Sequence, residues 1–461
     1  MRLVAGVDSS TQACKILICD AVTGEVARSG RADHPHGTEV NPNAWWQALE
    51  SAIAAAGGLE DVAAVGVAAQ QHGLVCLDED GRVVRDALLW NDTRSAPSAD
   101  DLVSELGASA WAERTGSVPL AAFTVAKLRW LAESEPASLD RAAAVCLPHD
   151  WLTWRLRGHT DPTQLTTDRS DASGTGYLDI RTGAWLPDLV QLACGRSDLL
   201  LPEVLAPDAT IDGPSGVLVS AGLGDNAAAM LGLPGDGALV SLGTSGVITT
   251  SHPSPLADPT GTVAGFADGA GTWLPLVCLL NGARVLDRTA GLLGVDHDRF
   301  SELALSAPPG AEGVTVLPYL DGERTPDLPR STGSFLGLTT ENATAANLAR
   351  ATVESVLCGL AVGLNRLRGL GCVVDSVRLV GGAAASPAVQ RIAPRVLGVP
   401  VEVPSPAEHA ALGAARQAAW SISGTPEPPR WPAGATATFH GPQDAWIVER
   451  HVESQHLHRH R

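Results

Sequence analysis

A chain of 461 residues is long enough for two or three domains with a large core, and 45% hydrophobic against 18% charged residues excludes a disordered chain. Its 32 basic and 51 acidic side chains give a formal charge of -19, which disfavours nonspecific binding to nucleic acid or anionic membranes. That field does not exclude an anionic nucleotide, because backbone dipoles and a bound cation act locally.

The opening stretch "VAGVDSSTQACKILICD" (residues 4–20) reads as a strand, a polar turn and a second strand. No basic, apolar leader precedes it, and no run approaches the roughly 18 apolar residues of a membrane span, so a cytoplasmic setting is expected. The eight cysteines are scattered without a Cys-x-x-Cys pair, as suits free buried thiols in a reducing compartment. Asp8, Ser9, Ser10 and Thr11 are ordinary turn formers, yet such a turn also exposes backbone N–H groups that can cradle an anion.

"NPNAWWQALESAIAAAG" (41–57) has apolar residues three and four apart and Gly57 placed to end a helix. A short apolar strand follows at 62–69, and residues 95–200 are richer in helix. "GVLVSAGLGDNAAAMLGL" (216–233) reads as strand, Gly-rich loop and helix, with Asp225 near the helix N-terminus. A carboxylate there is a good cap. It is equally placed, at the carboxyl end of a strand, to accept a hydroxyl proton.

"GALVSLGTSGVITT" (237–250) repeats the opening pattern, so a duplicated plan is expected, with a boundary near Pro234–Asp236. The domains read as 1–235 and 236–424. In "DSVRLVGGAAASPAVQRIAPRVLG" Ser386 fits a helix N-cap and Pro387 the first turn. "SPAEHAALGAARQAAW" offers a capping box of Ser405 and Glu408. From 425 onward the Pro-rich and then His-rich composition suggests a peripheral, solvated tail. Alternating strand and helix patterns make the chain α/β. There is no Walker A motif and no Gly-x-Gly-x-x-Gly in a Rossmann context. Only Lys15 and Lys127 among the basic residues are lysine; Lys127 is expected to be structural.

Several segments together resemble the FGGY carbohydrate kinases, up to about residue 420. They are "QQHGLVCLDEDGRVVRDALLWNDTR" (70–94), "FTVAKLRWL" (123–131), "LGDNAA", "SLGTSG", "LPYLDGERTP", "GSFLGL" followed by "NLARATVE", and "VGGAAASP", all in family order. Within the family the resemblance is to members acting on D-xylulose. It implies two ribonuclease-H-like domains of the actin and hexokinase type around a cleft, with ATP-dependent phosphorylation of D-xylulose to D-xylulose 5-phosphate in pentose catabolism.

The resemblance implies Asp225 as general base and Asp8 near Mg²⁺ and the phosphates. Sugar contacts fall to Gln71, His72, Asn226, Trp90, Asn91 and Asp92, with Asp92 alternatively paired to Arg94. Phosphate and nucleotide contacts fall to Ser10, Thr11, Gly243, Thr244, Ser245, Gly381, Gly382 and Ala383. Glu323 and Arg324 are expected as a buried ion pair. The chain departs from the family at three places: Ser10 stands where Gly is usual and could lend its hydroxyl, Gln71 replaces a common Met, and Ala383 a common Gly. A homodimer is compatible with the sequence; nucleic acid and membrane partners are not expected. The rival readings are a kinase for another ketopentose, a polyol or gluconate, an actin-like ATPase, and a sugar-binding regulator without turnover.

Overall fold

The computed structural model describes residues 2–213, 216–432 and 434–458 and divides into two compact units. The first comprises Met1–Pro234, Pro253–Leu274 and Ala407–Ala433; the second comprises Gly235–His252, Pro275–Pro406 and Gly434–Arg461.

The first unit is built on β1 (Leu3–Ser9), β2 (Ala13–Asp20), β3 (Val26–Asp33), β4 (Val62–Ala69), β5 (Thr210–Asp212) and β6 (Leu218–Ser220), in the sheet order β3-β2-β1-β4-β6-β5. β1, β2 and β3 form an antiparallel meander, β4 and β6 add in parallel, and β5 is an antiparallel edge. The second unit repeats this plan. Its β7 (Ala238–Leu242), β8 (Gly246–Thr249), β9 (Trp273–Leu279), β10 (Val377–Val380), β11 (Val401–Pro404) and β12 (Thr436–Phe439) run β9-β8-β7-β10-β11-β12 with the same senses. The strand–turn–strand echo in the sequence is therefore a repeat of topology.

Alternation along the strands assigns the two faces of the first sheet. Ala5 and Val7 of β1 belong to a core with Trp45, Leu49 and Ala52 of the helix Pro42–Ala55. Val4, Gly6 and Asp8 point the other way, opposite Cys19, Leu17 and Lys15 of β2. On that face Val4, Leu17 and Cys19 pack with Ala411, Ala415 and Ala418 of the helix His409–Ser421. The helix lies so close that a Cβ on Gly6 would sit 2.0 Å from the Ala411 carbonyl oxygen, and one on Gly66 of β4 would sit 2.4 Å from that of Ala414. Gly413 in turn abuts Ala228 and Gly232 of the helix Asp225–Gly232.

This helix begins at His409, without the expected capping box. Glu408 is drawn to Lys15 Nζ, 2.6 Å away, and the Ser405 hydroxyl donates to the Ala435 carbonyl. By contrast Ser386 does cap Pro387–Leu397. The 25-residue helix Ala345–Gly369 is long and apolar enough for a membrane span, but in the second unit it is a core helix packed against His297–Ser306 and Pro387–Leu397. The described residues beyond 425 do not form a peripheral tail. Trp431 packs with Val4 and Leu17, β12 extends the second sheet, and the helix Ala445–Ser454 buries Ile447 and His451. Large apolar groups such as Trp431 and Ile447 gain too much from burial to remain solvated. Residues 459–461 of the His-rich end lie outside the described residues.

Gly6→Ala is expected to lose about 1–3 kcal/mol, because the new methyl meets helix backbone that cannot move aside. Gly291→Ala, in the helix Ala283–Leu293 with nothing within 4 Å, is expected to be neutral or to gain up to about 1 kcal/mol. Thermal denaturation of both variants checks the pair; equal effects would refute the close-approach argument.

Candidate active site

The antiparallel register places Asp8 directly opposite Lys15, at the end of the face whose other residues bury the helix. Asp8 and Ser9 belong to β1, so the turn itself is only Ser10 to Gln12. Asp8 is 5% exposed, its Oδ2 lies 3.9 Å from Lys15 Nζ, and its Oδ1 has no hydrogen-bond partner. Burial pushes its carboxyl up to about 6; Lys15 pulls it down and Glu408 pushes it up. A buried carboxylate oxygen without a protein donor is the kind of ligand a hard divalent cation takes. The Ser10 hydroxyl lies 3.3 Å from Ala13 O, to which it donates within the turn, and a Ser10 side-chain hydrogen bond also pulls the Asp8 carboxyl down. Thr11 Oγ1 accepts from Trp90 Nε1 at 2.9 Å, joining the turn to the 70–94 stretch.

Asp225 opens its helix directly after Leu223–Gly224, which pairs with the end of β4. Asp225 Oδ1 accepts from the Asn226 N–H at 2.8 Å and from Asn226 Nδ2 at 2.9 Å. Asn226 Nδ2 also donates to Gln71 Oε1 at 3.0 Å, and Gln71 Nε2 to Ser170 O at 3.4 Å. The structure thus brings Asp225, Asn226 and Gln71 into one hydrogen-bonded run. Burial, then the charges of Asp8 and Asp171, push the Asp225 carboxyl up to about 7 against the Asn226 N–H. A carboxylate poised there is suited to general-base work near neutral pH.

His72 has a left-handed backbone, φ 69°, which a non-glycine residue adopts only when its surroundings hold it. Its Nδ1 is 2.6 Å from Gly174 O, its ring stacks on Phe123 at 4.8 Å, and its carbonyl accepts from Thr124 Oγ1. A carbonyl cannot donate, so Nδ1 carries a proton. Asn91 is half-buried and its Oδ1 has no hydrogen-bond partner. Asp92 is different: its oxygens accept from Thr38 Oγ1 and from the Arg94 N–H and Nε. Burial opposes its ionisation, but those hydrogen bonds win and lower its carboxyl. Asp92 therefore braces the loop through Arg94, as the alternative reading had it.

In the second unit, Gly243, Thr244 and Ser245 form the turn between β7 and β8, with Thr244 exposed. The Gly243 and Thr244 carbonyls accept from the Ala283 and Gly282 N–H groups, which fixes the turn. Gly381 and Gly382 are exposed at the end of β10, and Gly381 has φ 94° and backs onto Leu242 backbone, so no side chain fits there. Ala383 is buried, so its methyl faces inward. Glu323 does not pair with Arg324 as expected. Its carboxylate accepts from the Leu280 N–H at 2.7 Å and from Asn281 Nδ2 at 2.9 Å, because turn backbone needs acceptors there.

Sequence reasoning left Lys15 undecided, read Glu408 only as part of a capping box, and missed Phe266 and the residues around His149. Phe266 lies 5.6 Å from the His72 ring, centroid to centroid, and reaches it only because 253–274 belong to the first unit. The one available signal was that Lys15 is one of only two lysines in the chain. Lys127 is fully buried and donates to the Ala121 and Ala122 carbonyls, a structural role as expected.

The chain matches the models of the FGGY family of carbohydrate kinases, the N-terminal domain over residues 3–232 and the C-terminal domain over 238–422. It is 46% identical to the xylulose kinase of Streptomyces rubiginosus over 447 residues, 92% of this chain and 88% of that protein. The crystal structure of the xylulose kinase from Bifidobacterium adolescentis superposes with a TM-score of 0.92 at 43% identity, covering 98% of this chain and 99% of that one. The gluconate kinase of Lactobacillus acidophilus, at 22% identity, a TM-score of 0.86 and coverage of 99% and 98%, shares the fold. This chain belongs to the FGGY family of carbohydrate kinases.

Proposed function

We propose that the protein transfers the γ-phosphoryl group of ATP to the terminal hydroxyl of D-xylulose, giving D-xylulose 5-phosphate. The observation that carries the reading is the hydrogen-bonded run of Asp225, Asn226 and Gln71, a carboxylate of raised pKa beside two amide side chains. Relatives named xylulose kinase at 46% and 43% identity support the choice of sugar. Fold alone does not, since a gluconate kinase shares it.

Phosphoryl transfer needs positioning and charge neutralisation more than covalent chemistry. Asp225 takes the hydroxyl proton as the sugar oxygen attacks phosphorus, a contribution of about 100- to 10,000-fold. Asn226, Gln71, His72 and Asn91 offer the sugar both donors and acceptors, and Trp90 holds Thr11 toward the phosphates. Asp8 would hold Mg²⁺ through its unpartnered Oδ1. When bound, Mg²⁺ neutralises charge on the phosphoryl oxygens. In the second unit, the Gly243–Ser245 turn supplies groups for phosphate oxygens and the bare Gly381–Gly382 backbone a surface for the nucleoside.

A panel of ketopentoses, polyols and gluconate in an ADP-release assay tests the substrate: D-xylulose is expected to give the highest kcat/KM. Good turnover of another sugar with none of D-xylulose would overturn it. ATP hydrolysis that no sugar stimulates would instead favour the ATPase reading.

Asp225→Asn is expected to lose about 100- to 10,000-fold in kcat with sugar KM within a few-fold. Wild-type turnover should fall as pH drops below about 7, where Asp225 takes up its proton. The same shift has a stability consequence. Because the folded pKa is raised above 3.8, ionising Asp225 is harder in the folded protein, and stability is lost as pH rises from about 4 through about 7. Asn does not ionise, so the variant should gain Tm over wild type at pH 8 but not at pH 4.5. Near-normal turnover of Asp225→Asn would remove its role as base.

A further inference from the structure

Behind the loop that carries Asp225 lies a group of one histidine and three carboxylates that the proposed reaction does not use. His149, Asp150, Asp168 and Asp171 are each at most 1% exposed. His149 Nδ1 is 2.7 Å from Asp171 Oδ2 and 3.1 Å from Asp150 Oδ1. On the other side of the ring, Nε2 is 3.4 Å from the Ala221 carbonyl and 3.9 Å from Asp168 Oδ1. These carboxylates come from the helix Pro148–Leu156, which also carries His149, and from the capped turn Asp168–Ala172.

Both ring nitrogens therefore face oxygen acceptors. A neutral imidazole has one N–H and would set a lone pair against one of them; only the imidazolium donates on both sides. Three carboxylates removed from water also need a cation or protons. Burial would lower the His149 pKa, but the charges of Asp150, Asp171 and Asp168 outweigh it and lift it to about 10.

The ring is also the floor of the loop. Gly222 has φ 85°, and a Cβ there would lie 2.4 Å from His149 Cδ2. The Gly222 N–H donates to Gln417 Oε1 at 3.0 Å and its carbonyl accepts from Gln417 Nε2 at 2.9 Å. Two residues on, the Gly224 N–H donates to Ser170 Oγ at 3.1 Å, beside Asp171. The backbone leading into Asp225 is thus held by buried side chains on several sides, and His149 supplies the only ring among these supports.

We infer that His149 is a permanent imidazolium, the built-in counter-cation of the Asp150–Asp168–Asp171 group, and a positioning residue that aims Asp225 through the backbone at 221–222. The inference of aim rests on Asp225 being the base; the inference of charge does not. His149, Asp150 and Asp171 lie close enough to ligate a metal ion; there the imidazolium offsets one negative charge, and burial pushes the Asp150 and Asp171 carboxyls up to about 7 and about 6, so protons share the rest.

Two measurements test this on the full chain. With ¹⁵N-labelled histidine, the His149 resonances should stay in the imidazolium range from pH 6 to 8, with only small movements as Asp150, raised by burial to about 7, titrates beside the ring. A neutral pattern at pH 7 would overturn the assignment, as would one tightly bound divalent metal per chain whose removal by a chelator changes those resonances.

His149→Gln keeps a polar side chain but no charge and should lose about 10- to 100-fold in kcat with the KM for ATP unchanged, as misaimed catalytic groups do. His149→Lys restores a cation and should recover most of that loss. Wild-type turnover in His149→Gln, or a folded His149→Lys no better than folded His149→Gln, would overturn the positioning role. If neither variant folds, the resonances of the unmodified protein decide the charge. Should Asp225→Asn stay active while the resonances are those of an imidazolium, the reading of the base fails and the counter-cation stands.

Discussion

The first unit depends on how closely the helix His409–Ser421 approaches the sheet. Gly6 and Gly66 let helix backbone rest where side chains would otherwise stand, and Gly413 and Gly232 let the helix Asp225–Gly232 pack against its other side. From that seat one helix reaches both carboxylates. Glu408, at its start, ties Lys15, which faces Asp8, and Gln417, two turns on, clamps the loop before Asp225. Small residues matter here because interiors are close-packed, and a single methyl against fixed backbone must displace a whole element.

The same packing makes charge expensive at Asp8 and Asp225, where the proposed chemistry needs it. Asp8 and Asp225 are both raised by burial and by their neighbours, and each is left short of full compensation. Asp92, wrapped by Arg94 and Thr38, is lowered instead. Carboxylates in one unit thus divide into those whose ionised form the protein stabilises, such as Asp92, and those whose ionisation burial opposes, such as Asp8 and Asp225. A stabilising design would satisfy them all; a site for proton and phosphoryl transfer leaves some unsatisfied.

Most of the fold was legible in the sequence because the strands and their turns carry strong local signals. The strand 62–69, the paired strands of the two hairpins, and the Ser386-capped helix follow from alternation and capping alone. The capping box at Ser405 and Glu408 was misread because a local rule lost to a distant partner, Lys15. The contiguous domain boundaries differ from the structure for a similar reason: composition along the chain does not reveal that 253–274 and 407–433 join the first unit. In the site, the Asp225–Asn226 pair was visible as a motif. The links of Gln71 to Asn226 and Ser170, of Thr38 to Asp92 and of His149 to Asp171 span 155, 99, 54 and 22 residues, which no spacing rule connects.

By itself the sequence determined the α/β class, the duplicated strand–turn–strand plan and the residue types able to move a proton and hold phosphate, since these rest on periodicity and on the chemistry of each side chain. Only the tertiary structure decided which carboxylates are left unsatisfied, that Lys15 faces Asp8, that Ser10 donates within its own turn, and that a buried histidine lies under the loop of Asp225. Protonation and charge depend on what surrounds a group within a few ångströms, and those surroundings come from elements that meet only when the chain has folded.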